Sequence, residues 1–116
     1  MLEELWHRSL EVWDISRELI KELYVLTSDF PKSEAFGLTA HSRRTGISII
    51  SNISEGATRK SAKERKRFYE IARSSLTELD AQLQIAMDLG YFEKSSVSSM
   101  EKKMRSIFKL LTVMMR

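Results

Sequence analysis

The sequence predicts an all-α protein, closed as an antiparallel up-down-up-down four-helix bundle. Three observations carry that reading. Apolar residues recur at three-and-four spacing in four separate stretches, the period of an amphipathic helix. The chain has one Pro and four Gly in 116 residues, so its elements are few and long. No stretch alternates apolar and polar residues long enough to make a strand, and connections of about five residues make consecutive helices antiparallel neighbours. The expected helices cover residues 3–27, 34–55, 61–89 and 96–115 of one domain, 1–116.

In the first helix Leu5, Val12, Leu19, Leu23 and Leu26 form the inward stripe, with Trp6, Trp13, Ile20 and Tyr24 beside it. Its start falls near Glu3 or at a Ser9 cap. Pro31 breaks the chain next, because Pro cannot sit in a helix interior and holds Phe30 extended. Ser33 is the expected N-cap of the second helix, with Glu34 in its first turn. The β-branched run at residues 47–53 has helical neighbours on both sides and no turn signal inside, so it belongs to that helix. Gly56 opens the second break, and Ser61-Ala62-Lys63-Glu64 is a capping box for the third helix. That helix turns Phe68, Ala72, Leu76, Leu79, Leu83 and Ala86 inward and stops at Gly90. The fourth turns Val97, Met100, Met104, Ile107, Leu111 and Met114 inward, and its Met residues, with Met87, read as core filling rather than as an adaptable groove.

Several function classes drop out. Without Cys there is no disulfide, no Cys-held zinc or iron–sulfur cluster and no thiol catalysis. No apolar run approaches a signal-peptide core or a membrane span, so a soluble, cytoplasmic protein is expected. Glu4 and His7 have the Glu-x-x-His spacing of di-iron bundles, but such a site needs a second copy, and Leu38 stands three residues before His41. No phosphate loop, nucleophile elbow or His-Glu-x-x-His motif is present. A non-enzyme with no metal and no cofactor is expected.

The net charge is only +3, but it is segregated. Residues 41–73 hold nine basic residues, Arg43, Arg44, Arg59, Lys60, Lys63, Arg65, Lys66, Arg67 and Arg73, against three acidic ones. The remaining residues hold ten basic and thirteen acidic. Cations at the start of the third helix oppose its dipole, which argues for a use other than stability. The plain alternative is a solvated helix start; the functional reading is attraction for phosphate backbones through counterion release.

A polar stripe runs along the second helix: His41, Arg44, Ser48, Asn52, Glu55 and Arg59, with Ile on both flanks. It reads as an exposed face or as a hydrogen-bonded seam between helices or subunits. In the seam, which is favoured, Arg44 and Glu55 are paired and Asn52 is satisfied. The small residues Gly46, Ser48, Ser51 and Ser54 would admit another backbone.

Leu10-Glu11-Val12-Trp13, Phe30-Pro31-Lys32, Gly37-Leu38-Thr39, Arg43-Arg44, Ser48-Ile49-Ile50-Ser51-Asn52-Ile53-Ser54-Glu55-Gly56 and Ile71-Ala72-Arg73-Ser74-Ser75-Leu76-Thr77-Glu78-Leu79 carry a family likeness. Over residues 9–92 the chain resembles the four-helix bundle proteins encoded in intervening sequences of bacterial 23S rRNA genes. The resemblance implies a homo-pentamer around a central channel, no established enzymatic activity and suspected nucleic-acid binding. A related bundle partners a reverse transcriptase in diversity-generating retroelements. Asn52, Glu55, Gly56 and Glu78, with Ser48, match the family's motif and are expected in structural or interface roles. The chain departs from that pattern at His41, Thr45-Gly46, Ile50, Ser54 and Ser74. Ile50 replaces a frequent Pro, which should straighten the second helix.

The functional expectation is a homo-oligomeric helical bundle that binds RNA or DNA through the end bearing residues 59–67. The alternative is a protein–protein assembly or adaptor module without nucleic-acid binding, for which Trp6, Trp13, Met114 and Met115 are the cue.

Overall fold

The computed structural model describes residues 10–116. The expectations placed on Glu3, Glu4, Leu5, Trp6, His7 and Ser9 fall outside the described residues. The helices are α1 (Glu11–Ser28), α2 (Leu38–Thr58), α3 (Ala62–Asp88) and α4 (Ser98–Met114), and short 3-10 turns at Lys32–Glu34 and Lys94–Val97 precede α2 and α4. No strand occurs among the described residues.

Side-chain pairs set the directions. Trp13, early in α1, donates its indole N–H to Ser54 Oγ late in α2 at 3.1 Å. Arg43, early in α2, reaches Thr27 Oγ1 at the end of α1 at 2.8 Å. Ser48 meets Ser75 of α3 at 3.0 Å, and Arg73 of α3 meets Thr112 of α4 at 3.2 Å. Ser99, at the start of α4, donates to Glu22 of α1 at 2.7 Å. Each helix therefore runs antiparallel to the next, and α4 closes the ring against α1.

The inward stripes form one core of Val12, Leu19, Leu23, Ile49, Ile53, Ala72, Leu76, Leu79, Leu83, Met100, Ile107 and Leu111, joined by Tyr69. Each fully buried Leu or Ile contributes about 1.5–3 kcal/mol. Leu26, Val97, Met104 and Met114 pack against this core while half-buried, as do Trp13 and Met115. At the start of α3 the expected register is one residue off. Tyr69, not Phe68, points inward, and Phe68 turns toward α2.

Two element boundaries differ from expectation for physical reasons. Gly56 does not break α2; it lies buried inside it. A Cβ there would stand 2.7 Å from Tyr69 Cε1 and 3.1 Å from Phe68 Cβ, so its lack of a side chain admits α3. The turn falls later, and Ser61 Oγ accepts the Glu64 amide at 3.0 Å to start α3. At the other end, α2 begins at Leu38 rather than at Glu34. Glu34 folds back so that Oε1 accepts the Leu38 amide at 3.1 Å, which makes it a cap from outside the helix instead of a first-turn residue.

The same carboxylate ties the two loops at that end together. α3 stops at Gly90, whose φ of 82° is open to glycine and costly for other residues. The Gly90 amide bonds Met87 O at 2.9 Å and the Tyr91 amide bonds Ala86 O at 3.0 Å, the paired bonds of a Schellman motif. Tyr91 then donates its hydroxyl to Glu34 Oε2 at 2.8 Å, while buried Phe30 packs 5.3 Å from the Tyr91 ring and stacks 6.2 Å from Phe92. The Tyr91 hydroxyl, followed by the Leu38 amide, holds the Glu34 carboxyl below its ordinary value. The bond to Glu34, followed by desolvation and the carboxylate charge, pushes the Tyr91 phenol up.

The lowered carboxyl contributes stability above its unfolded value and loses it as pH falls through the folded one. The raised phenol contributes below its unfolded value and loses it as pH rises through the folded one. Urea titrations should therefore show wild type more stable than Tyr91→Phe by an amount that is level between about pH 5 and 9 and shrinks on both sides. A difference unchanged through acid and base would mean that phenol and carboxylate are uncoupled.

Candidate nucleic-acid interface

The nine basic residues singled out in the sequence do not form one cluster. Arg43 and Arg44 sit in the early turns of α2, and Arg59 follows its last residue, about 24 Å away along the axis. Residues 59–67 lie together at the α2–α3 turn. Arg73 lies midway along α3, toward α4.

The arginines are largely engaged within the fold. Arg43 Nε donates to Thr27 Oγ1 at 2.8 Å, Nη2 donates to Tyr24 O at 3.2 Å, and the guanidinium lies 4.4 Å over the Tyr24 ring. Arg59 pairs with Glu55 at 2.8 Å and lies 4.8 Å over the Phe68 ring. Arg65 Nη1 donates to Arg59 O at 3.1 Å and to Lys60 O at 2.8 Å, closing the α2–α3 turn from below. Arg73 bonds Thr112 and covers the Phe108 ring at 5.4 Å. Arg44 Nη2 donates to His41 Nδ1 at 3.0 Å.

Lys60, Lys63, Lys66 and Arg67 differ. All four are exposed, and none has an ion-pair partner among the described residues. Lys63 and Arg67 stand one helical turn apart on the solvent face of α3. Beneath them Tyr69 is buried, which pushes its phenol up against the opposing charge of Arg65.

The polar stripe of α2 is a seam only at its middle, where Ser48 and Asn52 are half-buried; His41, Arg44, Glu55 and Arg59 form an exposed face. Ser48 Oγ meets Ser75 Oγ at 3.0 Å, and Asn52 Nδ2 donates to Ser48 O at 2.8 Å and to Ser48 Oγ at 3.2 Å. With Gly56 against Tyr69, these residues lie in the most extensive contact of any helix pair, that of α2 with α3. Arg44 and Glu55 are each paired, but locally along α2, with His41 and Arg59 rather than across the seam. Glu78 is exposed on α3 and accepts Gln82 Nε2 at 3.3 Å. Gly46 faces α1, where a Cβ would lie 2.8 Å from Leu23 Cδ2.

Sequence reasoning missed the pairing of Glu34 with Tyr91. The usable signal was Tyr91 directly after Gly90, the position that a Schellman turn aims back along the helix. Among the described residues no group of three or more His, Asp and Glu is placed to hold a metal ion, and no helix is long and apolar enough to cross a membrane.

Ring closure, a polar α2–α3 seam and a tied pair of loops define a small antiparallel helical-bundle protein. The family model of the 23S rRNA-intervening sequence protein matches residues 8–113, and the chain belongs to that family. No curated protein matches it.

Arg65→Ala should lower stability by about 1–2 kcal/mol, because it frees two carbonyls of the α2–α3 turn. Lys63→Ala should change it by no more than about 0.5 kcal/mol. Thermal melts followed by circular dichroism separate the two.

Proposed function

We propose that the protein is a non-enzymatic bundle that assembles with copies of itself and binds nucleic acid electrostatically at the α2–α3 end. The observation that carries this reading is the set of exposed, unpaired cations Lys60, Lys63, Lys66 and Arg67. Their position at a helix start opposes the dipole, so they are not there to stabilise α3. A phosphate backbone supplies the missing counter-charge without sequence readout. Family resemblance supports the same partner class. Replacing Lys63, Lys66 and Arg67 together by Ala should lower the salt slope of RNA or DNA binding by about 2 to 3 while leaving the fold intact. Wild-type protein that ignores structured RNA and duplex DNA at low salt would sink this reading.

Assembly has its own support. Phe36 is 94% exposed and Val25 71% exposed, apolar surface that a second copy would cover. The resemblance gives five copies around a channel as the expected assembly. Light scattering at micromolar concentration should return a mass several times the 13.5 kDa of one chain. A monomer there would overturn the assembly reading. Recovery of a protein partner with no nucleic acid would instead favour the adaptor alternative, for which the same exposed apolar residues speak.

A further inference from the structure

We infer that the nucleic-acid surface continues beyond the α2–α3 turn, across the bundle end and along the outer face of α4. The proposal rests on the nucleic-acid reading above and names residues that the charge count over residues 41–73 passed over.

Residues 102–116 contain five basic residues and no acidic one. Their spacing sorts them by face. Lys103 turns toward α1 and is taken up by Glu22 at 3.2 Å. Lys102, Arg105, Lys109 and Arg116 recur at helical spacing on the opposite side of the inward stripe of Met100, Ile107 and Leu111, and all four are exposed. Arg105 bonds Glu101 at 3.1 Å. Lys102, Lys109 and Arg116 have no ion-pair partner among the described residues.

The antiparallel packing joins this row to the first one. Arg73 and Thr112 are in contact, so Arg116, one turn beyond Thr112, stands level with the turn of α3 that holds Tyr69, and Lys66 lies about one turn further on. Arg73 sits between the two rows, its guanidinium held over Phe108. The result is one cationic track from Lys63 and Lys66, past Arg73 and Arg116, to Lys109 and Lys102. Glu70 is the acid within it, and Glu101 with Asp80 marks its far end, where both line the groove between α3 and α4. Along α4 the row rises about 10 Å from Lys102 to Lys109, roughly three base-pair steps of a duplex, and Arg116 follows just past the helix end. A polyanion with evenly spaced charge fits such a row; the α1 side offers none, since Lys21 and Lys103 are taken up by Glu18 and Glu22, and Glu11, Asp14 and Asp29 add negative charge.

The test compares three variants for binding to a fluorescein-labelled RNA hairpin between about 50 and 200 mM salt. The first is Lys102→Ala with Lys109→Ala and Arg116→Ala. The second is the α3 triple described above. The third, Arg17→Ala with Lys21→Ala and Lys32→Ala, removes equal charge away from the track. The α4 variant should weaken binding on the order of 100-fold at about 0.1 M salt and lower the slope by about 2 to 3, with the charge control unchanged. An α4 variant that binds like wild type while the α3 variant fails would end the track at the α2–α3 turn and leave the earlier reading intact. Equal weakening by the charge control would reduce the effect to net charge and overturn the track. Failure of wild type to bind would overturn both.

Discussion

The bundle depends on how closely α2 and α3 approach. Gly56 leaves the space that the Tyr69 ring fills, and the two hydroxyls of Ser48 and Ser75 meet eight residues earlier and six residues later along the respective helices. Close helix contact excludes water, so the polar atoms on that line must satisfy one another. Asn52 does so by reaching back to Ser48, and Arg59 and Glu55 close the exposed margin. A stripe that looks too polar for a core is thus the condition under which two helices pack this tightly. Ser48, Asn52 and Gly56 share one physical content: small or self-satisfying groups where the backbones meet.

The two ends of the bundle are built to opposite plans. At one end Phe30, Tyr91 and Phe92 pack together, and one carboxylate serves both a helix start and a phenol from the other loop. The Glu34 carboxylate and the Tyr91 hydroxyl are used up internally there, while Lys32, Glu93 and Lys94 remain exposed. At the other end the turn is held from within by Arg65, and the side chains that project are cationic. Arg65 spends its charge on backbone carbonyls, and Glu64 and Glu70, although they stand beside the neighbouring cations, form no ion pair with them. Rigidity and available charge therefore coexist at that end, because they use different residues.

Most of the fold was legible in the sequence because burial follows period. Val12, Leu19 and Leu23, then Ala72, Leu76, Leu79 and Leu83, and Met100, Ile107 and Leu111 are the residues that three-and-four spacing places inside. The misreadings share one cause: a residue type with two physical uses. Gly56 was legible as a break and is a contact surface. Glu34 was legible as a first-turn anion and is a cap delivered from a preceding 3-10 turn. Phe68 and Tyr69 are both apolar enough to enter the core; Tyr69 continues the three-and-four spacing of Ala72, Leu76, Leu79 and Leu83, and Gly56 on another helix leaves room for its ring. For Gly56 and Glu34 the choice is made by tertiary partners that local sequence does not contain. The candidate site was legible as charge but not as geometry, since a window from 41 to 73 merges two ends of one helix and omits the adjoining row on α4.

The division between engaged and free cations follows from the chemistry of the two side chains. A guanidinium is planar, with several N–H groups in a fixed fork and a face that stacks on rings, so the fold can use it without a carboxylate. Arg43, Arg65 and Arg73 are held in this way, by carbonyls, hydroxyls and aromatic faces. An ammonium is a strongly hydrated point charge on a flexible stem, which such sites hold poorly. Lys60, Lys63, Lys66, Lys102 and Lys109 accordingly point to water. In this chain, then, a count of basic residues overstates the charge on offer, chiefly where the fold holds an arginine. Arg67 and Arg116 depart from that division: they carry the same fork yet have no ion-pair partner among the described residues, and both stand on the outer faces that the lysines occupy. A guanidinium so placed keeps its planar fork uncommitted, whereas the ammonium groups beside it present only a point charge.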